Sequence, residues 1–219
     1  MKILAMSDPH GDYSKIKKIA EKAGAFDLVV IVGDLTNFGP DEKVNELVEM
    51  FDKPLYAIPG NCDQRSIIKA LEASKAINLH GKAEQIDKIR FIGLGGSNPT
   101  PFNTPFELSE EEIEKALEGM VCAAEKAENC GTIVLLTHAP PHGARDELPF
   151  GHVGSTAIQK FLDRVDLIIC GHIHEAKGID TLGKTTIVNP GEASKGSGAL
   201  INIDESQNKP IEVNFIQVE

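Results

Sequence analysis

Seven side chains of the kinds that bind metal ions follow five predicted strands of this sequence, at the points where the strands end. They are two aspartates, one asparagine and four histidines: Asp8, His10, Asp34, Asn61, His138, His172 and His174. A single such residue beyond a strand is usually a turn residue, a helix cap or a hydrogen-bonded surface histidine. Seven of them at successive strand ends would meet at one rim of a sheet, where their charges and lone pairs require cations.

The spacing of these residues suits two metal ions better than one. Asp8 and His10 lie two positions apart, as do His172 and His174, so each pair can serve one cation or two. The carboxylate of Asp34 has two oxygens and is able to bridge cations about 3.5–4 Å apart, the separation used in two-metal hydrolytic sites. Four imidazoles among seven ligands favour manganese, iron, nickel or zinc over magnesium and calcium.

Hydrophobic periodicity predicts the elements that position these residues. Short apolar runs predict strands before the seven residues, and they cover residues 3–6, 28–32, 55–58, 133–137 and 167–170. Helical spacing predicts helices over 16–23, 44–51 with Asp41 as a cap, and 113–124 behind a capping box of Ser109 and Glu112. The first half is therefore βαβαβ, with parallel strands and right-handed crossovers.

The rest of the chain is predicted to add strands and two long loops. A further strand is predicted at 89–94, and alternating runs predict terminal antiparallel strands near 185–188, 199–203 and 211–218. The loops 95–106 and 139–154 are too long to be simple connectors, so we expect them to carry function.

Composition limits the kind of protein this is. The 219 residues, 41% hydrophobic and 25% charged, predict one globular domain over 1–219 and exclude a disordered chain, a fibre and a coiled coil. A net charge of −11 disfavours nucleic-acid polymers and anionic membranes as partners. Four scattered cysteines and short apolar runs predict a cytoplasmic protein without an export signal or membrane span, and leave a homo-oligomer open.

The motifs resemble, in order and spacing, those of the calcineurin-like metallophosphoesterase family. They are Asp8-x-His10, Gly33-Asp34, Gly60-Asn61-Cys62-Asp63, Thr137-His138 and Gly171-His172-Ile173-His174. Segments 93–102 and 137–141 are similar to the Icc-related predicted phosphoesterase branch. The resemblance implies a four-layer α/β/β/α sandwich with a dinuclear metal centre at the strand ends, and we expect the β-rich C-terminal segment to lie in its second sheet.

The resemblance also implies a ligand set and a reaction. It assigns the first metal ion to Asp8, His10 and His174, and the second to Asn61, His138 and His172, with Asp34 bridging the two. The reaction implied is in-line hydrolysis of a small-molecule phosphoester by a hydroxide that bridges the ions. Two divalent cations outweigh the aspartates and the hydroxide, so an acidic protein can still hold phosphate there.

One position departs from the pattern of the family's phosphatases. They usually carry histidine where this chain has Cys62 before Asp63, and that histidine protonates the leaving oxygen. A thiol donates hydrogen bonds weakly, and a small packed residue is the favoured interpretation of Cys62. Some phosphodiesterases of the family resemble this chain in carrying Gly-Asn-Cys-Asp. The departure therefore favours a diester of a small or nucleotide-like substrate and argues against a protein phosphatase.

Other residues are candidates for substrate contact. His152, and less strongly His142, lies in the loop after His138 and could replace the missing acid, although a solvated loop histidine is the favoured interpretation of each. With Cys62 and Asp63, His152 completes the predicted catalytic set. Further candidates for phosphate or substrate contact, each also consistent with a surface or turn role, are Arg65, Arg145, Ser97 and Asn98.

Two other functions compete with the esterase. Retromer-type scaffold subunits resemble this fold but have lost several ligand positions, so the complete set here favours an enzyme. A nuclease would need a basic channel for its polymer, and this acidic chain has no cluster of lysine and arginine.

Overall fold

The computed structural model describes residues 1–128, 131–204, 206 and 211–219. The helices are α1 (Ile16–Ala23), α2 (Val44–Val48), α3 (Ile67–Ala73), α4 (Glu110–Glu125) and α5 (Thr156–Gln159). Short 3-10 turns cover Asp41–Lys43, His174–Ala176 and Ala193–Lys195. The strands are β1 (Lys2–Met6), β2 (Leu28–Val32), β3 (Leu55–Ile58), β4 (Ile77–Asn78), β5 (Lys82–Ile86), β6 (Ile89–Leu94), β7 (Thr132–Thr137), β8 (Glu147–Leu148), β9 (Gly151–His152), β10 (Leu167–Ile169), β11 (Gly178–Leu182), β12 (Thr185–Asn189), β13 (Ser197–Ile203) and β14 (Ile211–Gln217).

Two six-stranded sheets and a short hairpin contain these strands. The first sheet has the order β14-β13-β1-β2-β3-β4 and the second β11-β12-β10-β7-β6-β5, while β8 pairs with β9. Strands β1 to β4 run parallel, as do β12, β10, β7 and β6. The loops that follow the parallel strands of each sheet therefore leave from the same end of that sheet. The predicted ligands are in these loops.

Alternate residues of each buried strand contribute to different layers of the core. Ile3 and Ala5 of β1 pack between the sheets together with Val134 and Leu136 of β7, whereas Leu4 and Met6 pack beneath α1 to α3. On the other side, Ile92 and Leu135 belong to the cluster that Leu117 and Ile158 of α4 and α5 complete. Because the side-chain period of a strand is two, each sheet is apolar on both faces. The result is the predicted four-layer α/β/β/α sandwich.

The start of α4 follows the local prediction. Ser109 Oγ accepts from the amide of Glu112 at 3.2 Å, and a Glu112 side-chain oxygen accepts from the amide of Ser109 at 2.8 Å. Two otherwise unpaired donors are satisfied, which stabilises the first turn. The capping box is confirmed.

Two expectations about elements are wrong. Asp41 caps no helix, because Asp41–Lys43 forms a 3-10 turn whose first residue follows Pro40, and α2 ends at Val48. The C-terminal strands do not all join the second sheet: β12 pairs with β10, but β13 and β14 extend the first sheet beside β1, with Leu4 opposite Leu200. Antiparallel pairing with β1 covers an edge that would otherwise stay open.

None of the helices in the described residues is long and apolar enough to cross a bilayer. The described cysteines, Cys62, Cys122 and Cys170, are free thiols, and Cys130 lies outside the described residues.

Candidate metal centre

Backbone hydrogen bonds join the loops that carry the predicted ligands. The amides of Asp8 and His10 donate to the carbonyls of Gly33 and Asp34 at 3.1 and 2.8 Å, and the amide of Gly171 donates to the carbonyl of His138 at 2.9 Å. These bonds join loops within each sheet. The amide of His172, after β10 of the second sheet, lies 3.2 Å from both carboxylate oxygens of Asp8, after β1 of the first, so loops of the two sheets also meet.

Several of these residues have an unusual backbone. Asp8, His10, Asp34 and His172 have φ values of 55°, 47°, 49° and 68°. Such left-handed conformations are uncommon outside glycine and concentrate at functional sites, where surrounding structure imposes them. The strand ends are thus held in turns that direct side chains into a common space.

One cluster consists of Asp8, His10 and His174. His174 Nε2 lies 3.4 Å from an oxygen of Asp8 and 3.2 Å from His10 Nε2. One ligand atom from each of the three residues lies within 4.8 Å of the others. These are the residues to which the resemblance assigns the first metal ion.

A second cluster surrounds the buried ring of His138. Its Nε2 is 2.9 Å from Asn61 Oδ1 and 3.4 Å from Asp34 Oδ1, and the ring of His172 packs edge-on at 5.1 Å between centroids. The other oxygen of Asp34, Oδ2, lies 3.7 Å from His10 Nε2. The carboxylate of Asp34 therefore presents one oxygen to each cluster.

The hydrogen bonding of His138 shows that this position fits a cation. Its Nδ1 lies 2.9 Å from the carbonyl of Val32, which can only accept, so Nδ1 carries the proton and Nε2 of the neutral ring has the lone pair. That lone pair faces oxygens of Asn61 and Asp34, and three electron-rich atoms in one buried place repel one another unless a positive charge lies among them.

The pKa values of the buried groups agree with this description. Burial alone lowers the pKa of His138, but the carboxylates of Asp34 and Asp8 outweigh it and raise the pKa to about 9. Burial likewise opposes ionisation of Asp34, yet the charge of His138 holds its pKa well below the usual range. Burial and the neighbouring His138 lower the pKa of His172 to about 4. Without a metal, a proton on His138 takes the place of the cation.

The orientation of Asn61 depends on a hydrogen-bonded chain that the motifs did not predict. Asn61 Nδ2 donates to Thr104 Oγ1 at 3.1 Å, and that hydroxyl donates to Glu107 Oε1 at 2.6 Å. Because the amide nitrogen is directed at Thr104, the Asn61 oxygen faces His138. The unusual length of loop 95–106 was the available sequence signal.

His174 also has a partner that sequence reasoning missed. Its Nδ1 lies 3.2 Å from a carboxylate oxygen of Glu192, which Lys195 contacts at 2.7 Å. The contact with Glu192 places negative charge beside one ring nitrogen, while the other, Nε2, faces Asp8 and His10. Glu192 follows Pro190 and Gly191 far along the chain, so no spacing rule connects it with His174.

Close packing explains the glycines of the motifs. A Cβ added to Gly60 would lie 2.1 Å from the amide and the Oδ1 atom of Asp34, and one added to Gly33 would lie 2.1 Å from His138 Nδ1. No side chain fits at either position while these residues stay in place.

Asp63 holds the loops and does not face the site, which corrects its place in the predicted catalytic set. It has no exposed surface, and its oxygens accept from the amides of Leu35, Thr36 and Gly60 at 2.7–2.9 Å and from the Thr36 hydroxyl at 2.8 Å. A residue enclosed in this way cannot contact substrate. It instead joins the loop after β2, which carries Asp34, to the loop after β3, which carries Asn61.

Cys62 lies at the edge of the site. Its amide donates to Asp34 Oδ1 at 2.8 Å, and its sulfur belongs to a group with His10 and Asp34 whose ligand atoms lie within 4.8 Å of one another. Burial, followed by the charge of Asp34, raises the pKa of the thiol well above its usual range. The sulfur therefore stays protonated at neutral pH.

His152 lies in a neighbouring cleft. Its Nδ1 is 2.7 Å from Asp146, its ring is 5.5 Å from that of His142, and the hydrogen bond to Asp146 raises its pKa. The cleft, of about 200 Å³, is also lined by Glu175, which follows His174. The described contacts of His152 thus connect it with Asp146 and not with the seven predicted ligands.

The remaining candidates for substrate contact have structural partners. Arg145 forms a two-point ion pair with Asp180 at 2.7 and 3.1 Å, and Arg65 donates to the carbonyl of Glu107 at 2.9 Å. Within the long loop, the buried Ser97 hydroxyl donates to the carbonyl of Asn98 at 2.8 Å, and the Asn98 amide donates to the carbonyl of Val153 at 3.1 Å. These contacts favour the structural alternative for all four residues, which hold the loops.

Comparison with known sequences identifies a family and relatives that this chain resembles. The profile of the family described as calcineurin-like phosphoesterase matches residues 1–176, a range that includes all seven predicted ligands. An uncharacterized protein of Methanocaldococcus jannaschii is 38% identical over 204 residues, which cover 89% of each chain. A UPF0046 protein of Caenorhabditis elegans is 26% identical over 221 residues, covering 90% of this chain and 71% of its own.

Solved structures show the same fold. A Thermus thermophilus protein superposes with a TM-score of 0.73 and 19% identity, covering 97% of each chain. A 5′-nucleotidase from Candida albicans superposes with a TM-score of 0.62 and 12% identity, covering 100% of this chain and 52% of its own. At these identities the likeness extends to the fold alone.

Proposed function

This chain belongs to the calcineurin-like phosphoesterase family of metal-dependent phosphoesterases, and we propose that it is a phosphodiesterase that uses two divalent metal ions. The observation that carries the proposal is the position of Asp34. Its Oδ2 lies 3.7 Å from His10 Nε2 and its Oδ1 lies 3.4 Å from His138 Nε2, so one carboxylate serves both clusters.

In this proposal, Asp8, His10 and His174 hold one ion and Asn61, His138 and His172 hold the other, with Asp34 shared. The four imidazoles favour manganese, iron, nickel or zinc. Such ions supply positive charge for phosphoryl oxygens and lower the pKa of water so that a nucleophile forms near neutral pH. The residues of the chain contribute fixed ligand positions and exclude most solvent, since Asp8, Asp34, Asn61 and His138 are buried.

Charge balance supports an anionic substrate despite the net charge of −11. Two divalent cations carry four positive charges in total, and Asp8 and Asp34 neutralise two of them. The centre would therefore attract phosphate locally. The acidic remainder of the surface repels a nucleic-acid polymer, which supports a small-molecule phosphoester as the substrate. The free thiols of Cys62, Cys122 and Cys170 support a reducing compartment, and we propose the cytoplasm.

Cys62 supports a diester because some phosphodiesterases of the family resemble this chain in carrying Gly-Asn-Cys-Asp, and it also bears on the leaving group. An alkoxide is a poor leaving group unless an acid protonates it, and a thiol is a weak substitute for imidazole. His152, the predicted replacement, is held by Asp146 in the neighbouring cleft. We therefore propose that the enzyme acts on esters whose leaving group needs little protonation.

The test compares bis(4-nitrophenyl) phosphate with 4-nitrophenyl phosphate, each with added manganese and after treatment with a chelator. We expect metal-dependent hydrolysis that is faster for the diester, and its loss in His138→Ala. Asp52→Asn, an exposed change near the start of β3, serves as control and should retain the parent rate. Faster cleavage of the monoester would contradict the diester assignment, and chelator-resistant activity would contradict the metal dependence.

A further inference from the structure

Three phenylalanines, Phe38, Phe102 and Phe150, form what we call the aromatic rim. Their side chains are 55%, 81% and 79% exposed, and no other large apolar residue among the described ones exceeds 44%. Single exposed apolar residues need no explanation, but a group of aromatic residues on one face marks a binding surface. The whole chain, these three residues included, is only 5% aromatic.

All three rings lie on loops that leave the carboxyl ends of parallel strands. Phe38 follows β2, Phe102 follows β6 and Phe150 lies in the loop after β7, between β8 and β9. The same end of the sheets carries Asp34 after β2 and His138 after β7. The loops that carry the aromatic rim and those that carry the candidate metal centre thus leave the same end of the sheets.

Hydrogen bonds connect the loops of the aromatic rim with the site. The amide of Phe38 donates to the carbonyl of Cys62 at 3.0 Å. Thr104, two residues after Phe102, accepts from the Asn61 side chain. The loop of Phe102 and the hairpin of Phe150 are joined to each other, because Asn98 donates to the carbonyl of Val153 at 3.1 Å.

The turn that carries Phe102 is ordered. Its amide donates to Thr100 Oγ1 at 3.2 Å, and that hydroxyl donates to Glu107 at 2.6 Å. The loop is thus already ordered in the free protein. Less conformational entropy of the loop is lost when a ligand stacks on this ring.

We propose that the aromatic rim binds a planar aromatic group of the phosphoester substrate, such as a nucleobase or an aryl ring. This inference rests on the proposed function, because the adjacent metal centre is what places the phosphate. The net charge of −11 disfavours an anionic membrane or a nucleic-acid strand as the occupant. An aromatic ring attached to the substrate's phosphate could stack on the exposed phenyl groups, because phenyl groups stack on many kinds of aromatic ring.

Three phosphonates that resist hydrolysis separate the aromatic rim from the phosphoryl site. Methylphosphonate has no ring, phenylphosphonate has an aryl ring and 5′-deoxythymidine 5′-phosphonate, whose phosphorus is bonded directly to C5′, has a nucleobase. Their affinities are measured by calorimetry on the manganese-loaded protein. We expect at least one ring-bearing ligand to bind about tenfold more tightly than methylphosphonate, and whichever gains more identifies the aromatic source.

Variants locate the gain in affinity. Phe102→Ala and Phe150→Ala should bring the affinity ratio of ring-bearing ligand to methylphosphonate towards one, while Ile77→Ala, an exposed apolar change on edge strand β4, should leave it unchanged. Chemical-shift changes of the phenylalanine rings on adding the ring-bearing ligand to the metal-free protein give a readout independent of the loaded centre.

The outcomes of these experiments test the aromatic rim separately from the proposed phosphodiesterase function. Loss of methylphosphonate binding in the parent would count against the phosphoryl site itself. Normal methylphosphonate binding with a ratio near one, or a ratio unchanged in both phenylalanine variants, would overturn the aromatic rim alone. A dimer that becomes a monomer in those variants, again with an unchanged ratio, would overturn it in favour of self-association.

Discussion

Asn61 Nδ2 donates to Thr104 Oγ1 over 3.1 Å, and this bond decides which atom of the Asn61 amide faces His138. Thr104 accepts in this direction because its own hydroxyl proton is given to Glu107 at 2.6 Å. A carboxylate in the long loop after β6 thereby orients Asn61, a proposed metal ligand, in the loop after β3.

Thr104→Val should weaken the second metal site. The substitution keeps the shape of the side chain but removes the oxygen that holds the Asn61 amide, so we expect about 10- to 100-fold lower affinity for one of the two ions. Calorimetric titration with manganese measures this affinity. Thr104→Ser retains the hydroxyl and should bind like the parent, and equal loss in both variants would show that the hydroxyl is not the cause.

Asp63→Ala should destabilise the metal-free protein. It leaves three buried amides and one hydroxyl without their acceptor, and we expect a loss of about 3–5 kcal/mol in the free energy of unfolding. Denaturant unfolding measures it, with Asp52→Ala as the exposed control. A loss below about 1 kcal/mol would contradict the role of Asp63 in joining the two loops.

How far such features can be predicted depends on how local they are. The capping box of Ser109 and Glu112 needs only neighbouring residues, and apolar runs such as Leu28–Val32 match observed strands because burial on both faces demands them. The choice of partner strand is not local. Nothing in the sequence of β13 shows that it pairs with β1 and not with the second sheet.

The same reasoning applies to the site. The proposed ligands stand directly after strands, so their meeting at one edge could be predicted from a parallel sheet. Glu192 and Glu107 were missed because they contact His174 and Thr104 through loops whose paths are set by tertiary packing. The buried position of Asp63 beside Asp34 likewise depends on how two loops pack together.

Cys62→His should change how the rate depends on the leaving group. In the parent we expect log rate to fall steeply as the leaving-group pKa rises, because no strong acid protonates the departing oxygen. An imidazole at this position should flatten the slope and accelerate alkyl esters by up to about 10²–10⁴-fold. Rates for a series of substituted aryl and alkyl methyl phosphates give the slope.

His152→Ala is the companion variant for that series. A parent slope that is shallow and steepens only in His152→Ala would contradict the missing-acid account and make His152 the proton donor. Metal content and thermal unfolding of Cys62→His are checked in parallel, since the larger ring can overpack the site.

The pair formed by His152 and Asp146 should make stability depend on pH. Its hydrogen bond raises the pKa of His152 in the folded state, so the protonated pair stabilises the fold at low pH, and this contribution disappears as pH rises through that pKa. His152→Ala should therefore be more destabilising at about pH 5.5 than at about pH 9. These values lie on either side of an ordinary histidine pKa. Urea unfolding at both pH values measures the difference, and an equal effect at both would contradict the ion pair.

The most direct test of the central claim is the number of metal ions bound. Equilibrium titration with manganese, followed by metal analysis, should show two ions per chain in the parent and in Asp52→Asn. In Asp34→Asn both ions should bind more weakly, because Asp34 presents Oδ2 to His10 and Oδ1 to His138. Saturation of the parent at one ion, or unchanged binding of both ions in Asp34→Asn, would contradict the two-metal centre.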